Sequence, residues 1–229
     1  MAVSIKSLSH WAFLGMALAI EGAQALKLMP LGASITWGQG SSTGNGYRQY
    51  LHDKLTGAGY QIDYVGSQQH GDMPDPDNEG WPGLRVEQVH SKARETVPNY
   101  LPDVYLINAG TNDCGQNFDV ANAGVRVNDM LNYLWSVTPD ATVILSTLLI
   151  NLEAPTEQRV GVFNEQVRGL VWDLANNQGK RIVLAEMHGP DGPTEEVMDD
   201  QTHPTDQGFG RMADIWHRSF EQAVAAGYI

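Results

Sequence analysis

A serine, a histidine and an aspartate stand on two segments of this sequence where they could carry out nucleophilic acyl transfer. Ser34 follows an apolar run that ends at Leu31, and a turn there can present its hydroxyl group. Far along the chain, Asp200 stands three residues before His203. This spacing lets the carboxylate accept a hydrogen bond from Nδ1 of the imidazole and aim Nε2 at a nucleophile. Taken singly, each signal also fits a plain turn or a helix cap.

Two further loops offer hydrogen-bond donors for a developing oxyanion. Asn112 lies in Gly-Thr-Asn-Asp, directly after the apolar run 104–108, and its amide can donate to a charged oxygen. Gly83 closes the segment Asn-Glu-Gly-Trp-Pro-Gly, where its backbone N–H can serve as a second donor. An Asx turn and a glycine-rich loop are the structural alternatives, and we expect Asp113 to hold its loop by hydrogen bonds. The four motifs in this order indicate one active site.

The elements that must position these loops alternate along the chain. Apolar runs predict strands, and apolar residues at helical spacing predict helices between them. The predicted strands are 27–31, 62–66, 104–108, 142–149 and 181–185, and the predicted helices include 47–58, 86–100 and the apolar faces within 127–134, 160–174 and 209–216. This alternation predicts an α/β fold, a three-layer α/β/α sandwich around a central parallel sheet. Ligands bind outside the carboxyl ends of such strands, where all four motifs fall.

The first 25 residues predict a signal peptide. Lys6 precedes an apolar run at 11–20, and Ala23-Gln24-Ala25 is a small-residue cleavage site. A membrane anchor is the alternative, but a helix needs about 20 apolar residues to span a bilayer. We therefore expect a secreted, extracellular protein with one domain at 26–229, a length that suits a single α/β core.

Charge and cysteine content narrow the possible partners. The whole chain has 229 residues and a formal net charge of −13. Cleavage would remove Lys6 and Glu21, one charge of each sign, so the mature chain keeps this charge. We therefore expect neither nucleic acid nor an anionic membrane as a partner. We also expect a monomer. Cys114 is the single cysteine, so no internal disulfide can form, and we expect it to act as a small apolar side chain.

With these motifs in this order, the sequence resembles the SGNH hydrolase superfamily, also called GDSL esterases, across the mature chain. The resemblance implies Ser34 as the nucleophile, His203 as the base and Asp200 as the acid that orients the base. It also implies an oxyanion hole formed by the backbone N–H groups of Ser34 and Gly83 with the side chain of Asn112. No metal or cofactor is required for this chemistry.

Within that superfamily, two segments, 62–71 and 78–83, resemble carbohydrate esterase family 3, whose members are acetylxylan esterases. The resemblance implies hydrolysis of acetyl esters, on a plant polysaccharide such as acetylated xylan or on a small ester. Trp37 and Trp81 could stack on sugar rings, and Tyr47 could hydrogen-bond to the substrate. Packing of these aromatic side chains onto the core is the alternative.

One departure from the family pattern keeps other interpretations open. The family has Gly-Asp-Ser at the nucleophile, whereas this sequence has Ala33 in place of the aspartate. A weakly active or silent carbohydrate-binding relative is therefore an alternative, as are a lipase or phospholipase of the same superfamily and a structural α/β protein. The lipase interpretation is the weaker one, because no long apolar segment that could form a lid stands between the motifs.

Four alternating acidic residues, Asp72, Asp75, Asp77 and Glu79, could hold a calcium ion. A solvated loop is the alternative at this segment.

Overall fold

The computed structural model describes residues 25–229, so the predicted signal peptide lies outside the described residues except for Ala25. Seven strands and seven α-helices form this part of the chain. The strands are β1 (Leu26–Gly32), β2 (Ile62–Tyr64), β3 (Gln68–Gln69), β4 (Asp77–Gly80), β5 (Val104–Asn108), β6 (Thr142–Ser146) and β7 (Ile182–Ala185). The helices are α1 (Ser34–Trp37), α2 (Tyr47–Gly57), α3 (Val86–Tyr100), α4 (Thr111–Gly115), α5 (Ala123–Val137), α6 (Ala154–Asn176) and α7 (Asp206–Ala225). None of the described helices is both long and apolar enough to cross a membrane.

The strands form one sheet in the order β3-β4-β1-β5-β6-β7, and β2 pairs with the first half of β1. Every pairing is parallel except β3 with β4, which is antiparallel. The predicted sandwich is confirmed, with one addition: the stretch between β2 and α3 contains the β3–β4 hairpin. These two strands consist of glutamines and of Asp-Asn-Glu-Gly, so they lack the apolar residues that mark a strand in a sequence.

Alternating side chains of the central strands build the two cores. In β5, Tyr105 and Ile107 pack on one face of the sheet, while Val104 and Leu106 pack on the other. Residues of α3, α5 and α6 cover the first face, and residues of α2 and α7 cover the second. Because helices cover both faces of the sheet, the central strands β5 and β6 are buried along their whole length.

A buried arginine joins the segment after β1 to the connection between β3 and β4. Arg48 has no exposed surface. Its guanidinium donates to the carbonyl oxygens of Trp37 at 3.2 Å and Gly44 at 3.0 Å, which lie on the segment after β1. It also donates to those of His70 at 2.7 Å and Pro76 at 2.8 Å, which lie in the β3–β4 connection. Burial lowers the pKa of this side chain, and the four carbonyl dipoles compensate its charge.

We expect Arg48→Met to lower the free energy of unfolding by at least about 3 kcal/mol, because four hydrogen bonds from a charged donor are lost and each such bond contributes about 1.5–3 kcal/mol. Urea denaturation measures this change. The matched control is Arg218→Met, which removes an ion pair with Asp191 in which both side chains are more than half exposed. The control should change stability by about 0.5 kcal/mol or less. An equally small change for Arg48→Met would show that these bonds do not hold the loops.

Candidate active site

Three neighbouring strands end at the same level of the sheet. Gly32 of β1 pairs with Gly80 of β4 on one side and with Asn108 of β5 on the other. A Cβ atom at position 32 would lie 2.1 Å from the carbonyl oxygen of Asn108, and one at position 80 would lie 2.5 Å from the backbone nitrogen of Trp37. Glycine is therefore required for this close approach. The loops that leave these three strands carry the predicted nucleophile and both further oxyanion donors.

The predicted nucleophile, base and acid form one hydrogen-bonded chain. The Oγ of Ser34 lies 2.8 Å from Nε2 of His203, and Nδ1 of the same ring lies 2.8 Å from Oδ2 of Asp200. An ionised carboxylate can only accept, so Nδ1 is the donor in the second bond and Nε2 is left to accept the hydroxyl proton. The geometry that general-base activation of a serine requires is therefore present.

The Asp200 carboxylate is fixed by its other oxygen. Oδ1 accepts hydrogen bonds from the backbone N–H groups of Thr202 and His203, each at 2.7 Å. Burial acts to raise the pKa of Asp200, but the hydrogen bonds from the His203 ring and from these two N–H groups outweigh it, and the net pKa is lowered. The carboxylate is thus held in its charged form, beside the ring on which a positive charge would develop.

Each of the three predicted oxyanion donors has an N–H hydrogen that is available to a ligand within the described part of the chain. Among residues 25–229, no backbone oxygen accepts from the N–H groups of Ser34 and Gly83. The side chain of Asn112 donates to the carbonyl oxygen of Leu84 at 2.9 Å. This bond uses one amide hydrogen, orients the group and leaves the second hydrogen for a ligand. The three donors lie on the segments that follow β1, β4 and β5, and these strands end side by side.

Asp113 joins the two loops that carry the further donors, as expected. It is fully buried and accepts from the backbone N–H of Val86 at 3.0 Å and from Arg126 at 2.8 Å. Burial raises its pKa, although both hydrogen bonds act in the opposite direction. Because Val86 follows Gly83 closely and Asp113 follows Asn112 directly, these bonds fix one donor loop against the other. Sequence reasoning missed Arg126, which lies in α5 and is brought here only by the fold.

The prediction that Tyr47 contacts the substrate is wrong. Its side chain is fully buried at the start of α2 and packs against Trp216 of α7, with ring centroids 5.6 Å apart. The sequence could not distinguish a tyrosine near the catalytic motifs from one on the apolar face of the helix. Burial of a ring of this size favours the core position.

The two tryptophans predicted to bind sugar are partly exposed, but each ring already has a partner. Trp37 stacks on His70 with ring centroids 3.2 Å apart and an interplanar angle of 14°. Trp81 donates from Nε1 to Glu79 at 2.7 Å, and Nζ of Lys92 lies 4.8 Å from its ring centroid. A sugar could therefore use only the remaining surface of either ring.

The four acidic residues considered for calcium face different protein donors. Asp72 accepts from Asn45, Asp75 from the N–H of Tyr64, Asp77 from Gln69, and Glu79 from Ser67 and Trp81. Within the part of the chain that the structure describes, no three His, Cys, Asp or Glu side chains are grouped so that they could share a metal ion. The calcium alternative has no support there.

Cys114 and Ala33 are both buried. Burial raises the pKa of the Cys114 thiol to about 12, which makes it an inert apolar side chain at neutral pH. Ala33 is 5% exposed and stands at the N-cap of α1, where its side chain supplies no hydrogen bond. The departure from the family pattern thus leaves a cap position unfilled.

Comparisons with known proteins find esterases and acylhydrolases among the proteins similar to this chain. A family model described as GDSL-like lipase/acylhydrolase matches residues 31–211. The structure of a Clostridium thermocellum family 3 carbohydrate esterase is 26% identical, with a TM-score of 0.79, over 90% of this chain and 100% of that one. A family 3 carbohydrate esterase from Talaromyces cellulolyticus shares the fold, with 24% identity and a TM-score of 0.75 over 88% and 99% of the two chains.

A curated relative, a multidomain esterase of Ruminococcus flavefaciens, is 24% identical over 235 residues. The match takes in 90% of this chain but only 30% of the relative's length. The chain therefore corresponds to one part of that larger protein.

The lowered pKa of Asp200 predicts a pH-dependent contribution to stability. A carboxyl group whose folded pKa lies below its unfolded value, about 3.9, stabilises the fold above that value and loses this effect as pH falls through the folded pKa. We expect Asp200→Asn to be less stable than the parent protein by a constant amount above about pH 5, and the difference to shrink below about pH 4. Urea denaturation between pH 3 and 7 measures it.

Asp199→Asn is the matched control, because no side-chain hydrogen bond to Asp199 is present within residues 25–229. This variant should retain the pH dependence of stability that the Asp200 carboxylate gives the parent protein. A stability difference for Asp200→Asn that persists unchanged in acid would contradict the assignment of these hydrogen bonds.

Proposed function

Because this chain belongs to the GDSL-like lipase/acylhydrolase family, a family of carboxylic ester hydrolases, we propose that it hydrolyses short-chain esters, above all acetyl esters, with Ser34 as nucleophile. The observation that carries the proposal is the hydrogen-bonded chain from Ser34 through His203 to Asp200. A structural or purely binding protein has no need of a serine hydroxyl held at 2.8 Å from an oriented imidazole.

The first half of the reaction forms an acyl-enzyme. The Oγ of Ser34 attacks the ester carbonyl carbon while Nε2 of His203 takes the hydroxyl proton. The carbonyl oxygen becomes an oxyanion, and the N–H groups of Ser34 and Gly83 with the amide of Asn112 stabilise it. Asp200 stabilises the imidazolium. The bond to the alcohol then breaks, and His203 gives its proton to the leaving oxygen.

The second half releases the acid. A water molecule gives a proton to Nε2 of His203 and attacks the acyl carbon, and the same donors stabilise the second oxyanion. The bond to Oγ of Ser34 breaks, the proton returns to that oxygen, and the carboxylic acid leaves. Every step uses only groups of the chain itself, its side chains and backbone N–H groups, together with water.

The substrate class that we propose is acetyl ester on a plant polysaccharide such as acetylated xylan. The similar structures are named as family 3 carbohydrate esterases, and partly exposed Trp37 and Trp81 lie on the loops that leave β1 and β4. The acidic net charge of −13 suits a neutral polymer better than a polyanion. The leader-like residues 1–25 support secretion, which would bring the protein to such a polymer.

We expect the protein to release p-nitrophenol from p-nitrophenyl acetate and acetate from acetylated xylan, and Ser34→Ala to lower kcat by about 10³-fold or more. The reason is that loss of Oγ removes the acyl-enzyme route. The same assay with p-nitrophenyl esters of increasing acyl length should show the highest kcat/KM at acetate.

Two results would contradict these proposals separately. Equal rates for the parent protein and Ser34→Ala would remove the esterase assignment. A Ser34-dependent rate that rises toward long acyl chains would retain the mechanism but replace the acetyl esterase by the lipase alternative.

Ala33→Asp tests the alternative of a silent relative. An aspartate at the N-cap of α1 can accept from the backbone N–H groups of the first turn, and such a cap adds about 1 kcal/mol. We expect the free energy of unfolding, measured by urea denaturation, to rise by this amount, or kcat for p-nitrophenyl acetate to rise by a few fold. Ala33→Asn supplies a similar acceptor without the charge and is the matched control. If Ala33→Asp creates activity where the parent protein has none, the parent is silent.

A further inference from the structure

We propose that Asp206 is a positioning residue that holds the loop after Ser34 against the loop that carries His203. The inference rests on the proposed ester hydrolysis and concerns the same site. Asp206 is the first residue of α7 and has no part in the hydrogen-bonded chain of Ser34, His203 and Asp200. It acts through the relative placement of the two loops.

Three hydrogen bonds join Asp206 to the loop that follows the nucleophile. Its Oδ1 accepts from Oγ of Ser41 at 2.9 Å and from the backbone N–H of Ser42 at 3.0 Å. Its Oδ2 accepts from Oγ of Ser42 at 2.5 Å. The partners are at least 164 residues apart in the sequence, so these bonds link distant parts of the chain. Hydrogen bonds to a charged acceptor are stronger than neutral ones, which suits a carboxylate for this role.

The two loops are in close contact beside these bonds. A Cβ atom at Gly40 would lie 2.6 Å from the carbonyl oxygen of Pro204 and 3.0 Å from Cβ of His203. Gly40 also has φ +93°, a conformation that favours glycine. The segment just after the nucleophile therefore lies directly on the residue that carries the imidazole, and a movement of one loop moves the other.

Both ends of this connection lead straight to the reacting atoms. On one side, the backbone N–H groups of Gly38 and Gln39 both donate to the carbonyl oxygen of Ser34 at 3.0 Å, so the loop starts from the nucleophile itself. On the other side, Asp206 follows His203 by three residues, and the carbonyl oxygen of His203 accepts from the N–H of Asp199 at 2.7 Å. Short, hydrogen-bonded segments therefore connect Asp206 to both Ser34 and His203.

The charge of Asp206 is stabilised where it stands. The hydrogen bond from the hydroxyl of Ser42 lowers its pKa most, and those from Ser41 and the Ser42 backbone lower it further against the effect of burial. The N-terminus of α7 also favours a negative charge in its first turn. The residue is therefore ionised over the neutral pH range in which the imidazole must act as a base.

The consequence for the reaction follows from geometry. Proton transfer from Oγ of Ser34 to Nε2 of His203 requires the observed separation of 2.8 Å, and a misplacement of 1 Å can cost about 10²-fold in rate. Loss of the three bonds would let the loops separate. Substrate contacts made by other loops would be unaffected, so kcat should fall while KM stays.

The test compares Asp206→Ala, Asp206→Asn and Asp214→Ala with p-nitrophenyl acetate as the substrate. Asp206→Ala should lower kcat by about 10-fold to 100-fold with KM unchanged within about twofold. Asp206→Asn keeps Oδ1, which accepts two of the three bonds, so it should recover most of the activity. Asp214 is the matched control, because it lies on the same helix and forms an ion pair with Lys54 of α2 at 2.6 Å. Asp214→Ala should keep kcat.

The outcomes separate this inference from the proposed function. If Ser34→Ala is inactive and Asp206→Ala has the parent kcat, the inference is wrong and the esterase assignment is unaffected. An equal loss of kcat in Asp206→Ala and Asp214→Ala would also overturn it, because it would reflect general destabilisation of α7. Equal rates for Ser34→Ala and the parent protein would contradict the proposed function itself.

A second variant covers the case in which Asp206→Ala does not fold. The double substitution Ser41→Ala with Ser42→Ala removes two of the three donors from the opposite loop and leaves α7 unchanged. It should lower kcat by about 3-fold to 30-fold, with KM and the midpoint of thermal unfolding close to those of the parent protein. A parent-like kcat in this variant would overturn the inference.

Discussion

The site depends on the register of β1 between its two neighbours. The last residue of β1, Gly32, pairs with Gly80 on one side and Asn108 on the other, so three chain segments leave the sheet side by side. Since parallel strands all point the same way, this register brings the segment that carries Ser34 between the segments that carry Gly83 and Asn112. A shift by one residue would turn every side chain of β1 to the opposite face and break both cores. The packing of the sheet therefore also sets where the segments with the three proposed oxyanion donors begin.

Hydrogen bonds to buried charges hold the loops around the site, because these loops have few apolar residues to pack. Arg48 joins the segment after β1 to the β3–β4 connection, and Asp113 joins the starts of α3 and α4. Glu79 has no exposed surface and accepts from Ser67 and from the indole of Trp81. A hydrogen bond to a charged group contributes about 1.5–3 kcal/mol, against about 1 kcal/mol for a neutral pair. A few such bonds can thus order long, glycine-rich loops.

The parts of the fold that the sequence predicts are those with a local apolar signal. Helix α3 has the predicted bounds, strand β5 has the predicted bounds, and the resemblance to GDSL esterases is confirmed by the family match. The features that were missed depend on contacts between distant residues. Strand β4 is polar and exists because it pairs with β1, and Arg48 is buried because four carbonyl groups from two loops surround it. Tyr47 was misjudged because proximity in sequence to a motif says nothing about which way a helix faces.

The candidate site combines a local and a non-local half, and this difference explains how far prediction could reach. Asp200 and His203 are three residues apart, and both carboxylate oxygens bond within that short turn, so the sequence alone can specify their arrangement. The carboxylate is half exposed, so solvent screens its charge and its main effect on the ring is orientation. The contact between Ser34 and His203 spans 169 residues, and no local spacing can set its length. That distance depends on the sheet, on the loop after Ser34 and on the hydrogen bonds that join this loop to Asp206 at the start of α7.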